Sequence, residues 1–210
     1  VEIYMKNSKK ILVGKKIGMS QIINEDGKVV PVTVVKAFEN EIVRIKTIET
    51  DGYNAICIGY QEVSDTKLNK PQKGQFKKGT KYKHIKEFRV EDTEGFELNS
   101  KIDYASFDLN SKFDLQSKTI GRGFTGATKA WNFTIGPKAH GSKNHRLLGS
   151  IGQATYPGEV NKGKKMHTRY GNETVTMLNL ELVKIDGEHL FFKGSIPGKQ
   201  NVVSISGARR

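Results

Sequence analysis

Apolar residues gather toward the two ends of this chain, with the spacing of half-buried strands, and thin out in the middle. Residues 11–23 carry the apolar positions of a strand pair, Glu25-Asp26-Gly27-Lys28 supplies hairpin chemistry, and residues 29–35 are rich in β-branched side chains. Residues 41–48 and 53–60 form a second pair about Asp51-Gly52. The pattern returns in residues 174–178 and 180–185, turns at Asp186-Gly187, continues through Leu190-Phe191-Phe192, and ends with a candidate strand over 202–205. Turn signals this frequent suit a small barrel. Strands at both termini around a long non-strand middle predict one barrel closed by its two ends, with the intervening chain inserted. Residues 85–98, with Phe88, Val90, Phe96 and Leu98, suggest a small side lobe holding one short strand or helix.

The middle is different in kind. Ten glycines fall between residues 118 and 172 and leave no long interval for a helix or strand to repeat. A loop of this length is functional or disordered. Phe124, Trp131, Phe133, Leu147, Leu148, Ile151 and Tyr156 are interleaved there, and disordered segments are poor in such residues. An extended arm ordered by its partner satisfies both facts. The expected organisation is a barrel from residues 1–64 and 173–210, an inserted lobe over 65–117, and an arm over 118–172.

Charge sharpens this division. The 210 residues carry a formal net charge of +13, and no Asp or Glu occurs between Asp114 and Glu159. From 118 to 172, Lys118, Arg122, Lys129, Lys138, Lys143, Arg146, Lys162, Lys164, Lys165 and Arg169 face the single acid Glu159. A second acid-free block over 66–86 holds Lys67, Lys70, Lys73, Lys77, Lys78, Lys81, Lys83 and Lys86, so the rest of the chain is slightly acidic. A merely solubilising surface would spread its lysines; two bounded blocks mark a footprint for negative charge. Cys57, the only cysteine, excludes an intramolecular disulfide and a multi-cysteine zinc site, and its apolar surroundings make it a core residue. No apolar run is long enough for a membrane helix. The start lacks the apolar centre of a signal peptide, and a first residue Val1 suggests a trimmed or processed terminus.

Gly121-Arg122-Gly123-Phe124-Thr125-Gly126 spells GxGxxG, yet no strong strand precedes it, no apolar helix follows, and no acid lies about 20 residues on to hold a ribose. Ala127-Thr128 excludes a Walker loop. The glycines serve better to bring backbone close to phosphate. His140, His145 and His167 invite a nuclease reading, but an acid-free stretch offers little to orient an imidazole or hold a metal, so no enzyme, cofactor or small-molecule substrate is expected. Trp131 is either core or a residue that wedges between bases or anchors the arm. Nothing resembles a major-groove reading helix or zinc finger. A folded RNA with crevices suits a thin, glycine-rich, aromatic-dotted arm.

Several motifs are more specific. Val13-Gly14-Lys15-Lys16-Ile17-Gly18-Met19-Ser20, then Glu25-Asp26-Gly27 and Pro31-Val32-Thr33-Val34, resembles the amino terminus of the universal large-subunit ribosomal protein L-three family. Gly121-Arg122-Gly123-Phe124, Trp131-Asn132-Phe133, His140-Gly141-Ser142, His145-Arg146, Gly149-Ser150-Ile151-Gly152-Gln153, Pro157-Gly158, Gly163-Lys164-Lys165-Met166 and Lys193-Gly194-Ser195-Ile196-Pro197-Gly198 follow in the family's order. Ala130, where the family often has a base, and His167-Thr168-Arg169-Tyr170 depart from it.

The resemblance implies a mainly β fold: a six-stranded barrel like that of translation factors, a small α+β inserted lobe and a long basic arm. It implies binding to the 3′ region of large-subunit ribosomal RNA, early nucleation of subunit assembly, and an arm reaching toward the peptidyl transferase centre, with peptide-bond chemistry left to the RNA. The expected RNA contacts are Lys67, Lys70, Lys77, Lys78, Lys118, Arg122, Lys129, Trp131, Lys138, His140, Lys143, His145, Arg146, Gln153, Lys162, Lys164, Lys165, His167 and Arg169. Trp131, His145, Arg146 and Gln153 should lie nearest the catalytic RNA, and Gln153 takes the place of a glutamine that many bacterial relatives methylate. Neighbouring proteins numbered fourteen and nineteen are implied partners. The type is bacterial or organellar, placing the chain on ribosomes of a bacterial cytoplasm, plastid or mitochondrion. The alternative is an RNA-binding module outside the ribosome.

Overall fold

The computed structural model describes residues 10–76, 81–104 and 107–208. Its twelve strands are β1 (Ile11–Ile23), β2 (Val29–Ala37), β3 (Asn40–Lys46), β4 (Ala55–Glu62), β5 (Tyr82–Arg89), β6 (Lys101–Ile102), β7 (Lys112–Lys118), β8 (Phe124–Thr125), β9 (Thr168–Arg169), β10 (Thr174–Asp186), β11 (His189–Lys193) and β12 (Val202–Gly207). Among the described residues there are three short helices, α1 (Ile48–Asp51), α2 (Lys70–Gly74) and α3 (Ala127–Trp131), and a 3-10 turn spans Asp65–Lys67. The chain divides into two units, Val1–Lys118 with Thr174–Arg210, and Thr119–Glu173.

Six antiparallel strands of the first unit close on themselves in the order β1-β12-β7-β10-β11-β2, a closed barrel. The first strand pairs with the last, Ile11 opposite Ser206 and Lys15 opposite Val202. Alternation sends Leu12, Val35, Phe113, Leu115, Leu182, Leu190, Phe192, Val203 and Ile205 inward, all fully buried. The 13-residue strands β1 and β10 cannot stay flat over such a small core, and their registers shift at Lys16/Gly18, Met177/Leu180 and Leu182/Lys184. At one irregularity Asn179 takes φ 56°, and its N–H donates to Oδ1 of the buried Asp114 at 2.9 Å.

A four-stranded sheet, β5-β4-β3-β6, stands beside the barrel in the same unit. Its core of Ile42, Ile56, Ile58, Tyr60, Phe88 and Val90 is shared with Ile11 and Val13 of β1. Gly59 is required here, because a Cβ would meet Cδ2 of Tyr82 at 2.5 Å. The Tyr82 ring packs against Gly59, and its hydroxyl donates to Oε2 of the buried Glu41 at 2.6 Å. That bond fixes the start of β5 and so the end of the lysine-rich connection. Farther along the same sheet, Lys46 donates to Glu87 and to the Tyr53 hydroxyl, both at 2.7 Å.

The strand assignment differs from the expected boundaries in two places. Residues 40–46 and 55–62, expected within a barrel ending at 64, pair with each other and with β5 in the separate sheet. Residues 112–117, expected in the lobe, and Lys118, expected in the arm, are barrel strand β7 between β10 and β12. Alternation reports which residues are inward but not which strand lies alongside. In β7 the polar Asp114, Gln116 and Ser117 mask the apolar pair Phe113 and Leu115. The side-lobe segment holds a full eight-residue strand, β5, as an edge studded with Lys83 and Lys86, the usual guard against further pairing.

Candidate nucleic-acid interface

The unit Thr119–Glu173 begins and ends at one point. Thr119 N–H donates to Glu173 O at 2.9 Å, and Glu173 N–H returns to Oγ1 of Thr119 at 3.1 Å. Arg122 N–H bonds Tyr170 O and Tyr170 N–H bonds Gly123 O, leading into the two-residue ladder of β8 and β9. A short helix does follow the GxGxxG run. Gly126, with φ −67° and ψ 158°, caps it, and α3 runs five residues until Asn132 turns left-handed. Five residues do not make a dinucleotide-binding helix.

Trp131 is neither core nor free. It is 41% exposed, and its indole N–H donates to Met166 O at 2.7 Å, tying α3 to the returning chain. Lys165 Nζ lies 5.6 Å from the ring centroid, a cation over an aromatic face. Phe124 stacks on His167 with centroids 6.3 Å apart and planes 21° from parallel. Thr125 and Ala127 are the buried residues among these.

Farther along, the chain doubles back again. Gly136 N–H donates to His145 O at 2.9 Å, and His145 Nδ1–H donates to Pro137 O at 2.8 Å. Only glycine fits at 136, since a Cβ would stand 1.8 Å from Asn144 O. Between these two segments His140 (φ 57°) and Gly141 (φ 72°) form the turn, closed by Ser142 N–H to Ala139 O. Gln153 is exposed, beside Gly152, whose Cβ position would meet Glu159 O at 3.3 Å. A cavity of about 630 Å³ opens along residues 132–137, 144 and 147–149.

Every expected cation of this unit is exposed: Arg122, Lys129, Lys138, Lys143, Arg146, Lys162, Lys164, Lys165 and Arg169, with His140, His145 and His167. Lys118, the last residue of β7, is exposed in the other unit. Among the described residues every ion pair lies outside 118–173. These cations therefore face solvent without carboxylate neutralisation, the electrostatic condition for binding a polyanion. His145 contacts Pro137 O and His167 stacks on Phe124. Among the described residues, no group of three or more His, Cys, Asp or Glu is placed to hold a metal.

The second basic block is only partly described. Lys67 closes the 3-10 turn and Lys70 opens α2, both exposed; Lys77 and Lys78 lie outside the described residues. Lys81 is engaged by Asp65 at 2.6 Å. Two residues outside the expected set also stand out. Phe124 is 75% and Tyr156 86% exposed, and aromatic rings so bare beside unpaired cations are natural stacking surfaces. The signal for them was present in the sequence, as aromatics inside an acid-free run.

The family model for ribosomal protein L3 matches residues 73–194. The large ribosomal subunit protein uL3 of Thermosipho africanus is 50% identical over 206 residues, covering 96% of this chain and 99% of that one. The protein of the same name from Fervidobacterium nodosum is 48% identical over 200 residues, 93% and 96% of the two chains. That of Synechococcus sp. is 47% identical over 192 residues, 90% of each.

Proposed function

The chain belongs to the ribosomal protein L3 family, and from that premise we propose that it is a structural constituent of the large ribosomal subunit that braces folded ribosomal RNA. Membership makes it a non-enzymatic protein. The observation that carries the RNA reading is the run of exposed, unpaired cations over 122–169.

In this reading the barrel, of the translation-factor kind, docks on the 3′ region of the large RNA during early assembly. Residues 118–172 act as an arm that follows RNA crevices toward the peptidyl transferase centre. Hydrogen-bonded crossings such as Trp131 to Met166 and Gly136 to His145 preorganise the arm, so less conformational entropy is lost on binding. Arg122, Lys138, Arg146 and Arg169 contact phosphates, Phe124 and Tyr156 offer stacking faces, and Gln153 is a candidate for methylation. Lys67, Lys70, Lys77 and Lys78 form a second contact from the lobe. Neighbouring large-subunit proteins complete the site. The relatives named above are bacterial, which fits a bacterial or organellar ribosome.

The test is sedimentation of the tagged chain followed by RNA cross-linking in cells. The expected result is comigration with the large subunit and cross-links clustered in the 3′ region and around the catalytic centre. Scattered transcripts without comigration would refute it. A chain lacking residues 121–170 should keep a folded barrel and lose RNA association.

A further inference from the structure

A cavity opens along residues 132–149. At about 630 Å³ it falls within the roughly 300–1,000 Å³ of small-ligand clefts. Phe133, Ile135, Leu147 and Leu148 are its apolar lining residues, and Asn132 and Asn144 are polar ones. Leu147 is 67% and Ile135 41% exposed, so apolar surface is left open to water. Collapse is resisted by the rim: Gly136 lies hard against Asn144 O, and the Gly136 to His145 and His145 to Pro137 bonds hold the two sides in register.

We propose that this cavity receives a single unstacked nucleobase of the bound RNA. A base matches both kinds of wall, with an apolar face for the leucines and the phenyl ring and a hydrogen-bonding edge for the carboxamides. Charge selects the occupant. Lys138, Lys143 and Arg146 flank the lining residues in the chain, and no carboxylate occurs between Asp114 and Glu159. These cations would meet the phosphates on either side of a flipped nucleotide, whereas an apolar side chain of a partner protein would have no use for them. The inference rests on the ribosomal reading and adds one nucleotide-sized pocket to it.

The experiment uses the full chain assembled into large subunits. With Leu147 replaced by photoreactive p-benzoylphenylalanine, irradiation should join the chain to one dominant nucleotide, mapped as a reverse-transcription stop. Filling the cavity with Leu148→Trp should expose that same base to base-modifying reagents and lower affinity for a large-subunit RNA transcript roughly tenfold, as loss of one stacked base does. Cross-links to another protein, or spread over many nucleotides, overturn the inference, as does unchanged base reactivity in Leu148→Trp subunits. If that variant fails to assemble, the cross-link from position 147 decides alone. Absence of the chain from the large-subunit peak overturns the ribosomal reading itself and this inference with it; presence there without a single-nucleotide cross-link overturns only the pocket.

Discussion

Replacing Gly59 by alanine should unseat Tyr82 and loosen the four-stranded sheet. The added Cβ would stand 2.5 and 2.7 Å from ring carbons of Tyr82 and 2.8 Å from Cγ2 of Val43. Comfortable carbon contacts are about 3.5–4.0 Å, so the ring must retreat by about 1 Å. Its hydroxyl sits 2.6 Å from Glu41, and a retreat of that size breaks the bond. Overpacking costs about 1–3 kcal/mol, and a buried carboxylate deprived of this donor about 1–3 kcal/mol more. Alanine recovers about 0.5–1 kcal/mol over glycine in a strand. The expected net loss is about 3 kcal/mol, a fall in Tm of roughly 6–12 °C for a chain this long. Urea unfolding followed by circular dichroism reads it; tryptophan fluorescence would report Trp131 in the other unit. Adding Gly59→Ala to a Tyr82→Ala chain should cost much less, since the ring is already gone. A Gly59→Ala protein within about 0.5 kcal/mol of the parent would refute the argument.

Lys16 is 8% exposed and donates to the carbonyls of Ile196 and Gly198, so Lys16→Met should destabilise the barrel by about 2 kcal/mol in thermal unfolding, through two abandoned acceptors. Burial pushes the Lys16 pKa below 10.5; the unfolded chain therefore binds its proton more tightly, and this group's contribution to stability rises with pH up to that value, a rise Lys16→Met should abolish. Burial opposes ionisation of Glu87, but hydrogen bonds from Lys46 and Tyr53 and the charges of Lys46 and Arg89 outweigh it and hold its carboxyl below the ordinary 4.5. Its stabilising effect should thus be lost as pH falls from 4.5 through the lower folded value, and Glu87→Gln should flatten that slope in denaturation midpoints measured across acid pH. Arg146→Ala should weaken RNA association and reduce the slope of log K against log salt by about 0.7–0.9, leaving the barrel's thermal transition in place. A slope equal to the parent's would remove Arg146 from the phosphate contacts.

What could be read in advance followed from local chemistry. Gly27 and Gly187 mark hairpins β1–β2 and β10–β11 because tight turns need their conformational range. The exposed cations of 122–169 were legible because charge needs no partner to be counted. Pairing across long sequence distances was not. Lys16 reads as one more surface base, yet its ammonium is held by residues near 197. β7 hid behind Asp114, whose buried carboxylate accepts from the Asn179 N–H at a register shift in β10. The clamped rim of the cavity depends on Asn144 meeting Gly136, which no residue pattern announces.

The neighbouring positions of β1 and β12 in the barrel also bear on how the molecule comes into being. The strand made first has one edge unpaired until the strand made last leaves the exit tunnel. At roughly 5–20 residues per second that wait is on the order of 10–40 s. The sheet of β3, β4 and β5, whose partners lie close in sequence, can form meanwhile and cover Ile11 and Val13 from the side. A cell making this chain in bulk must shelter an open half-barrel throughout each round of synthesis, and a truncated message yields a product that can never close.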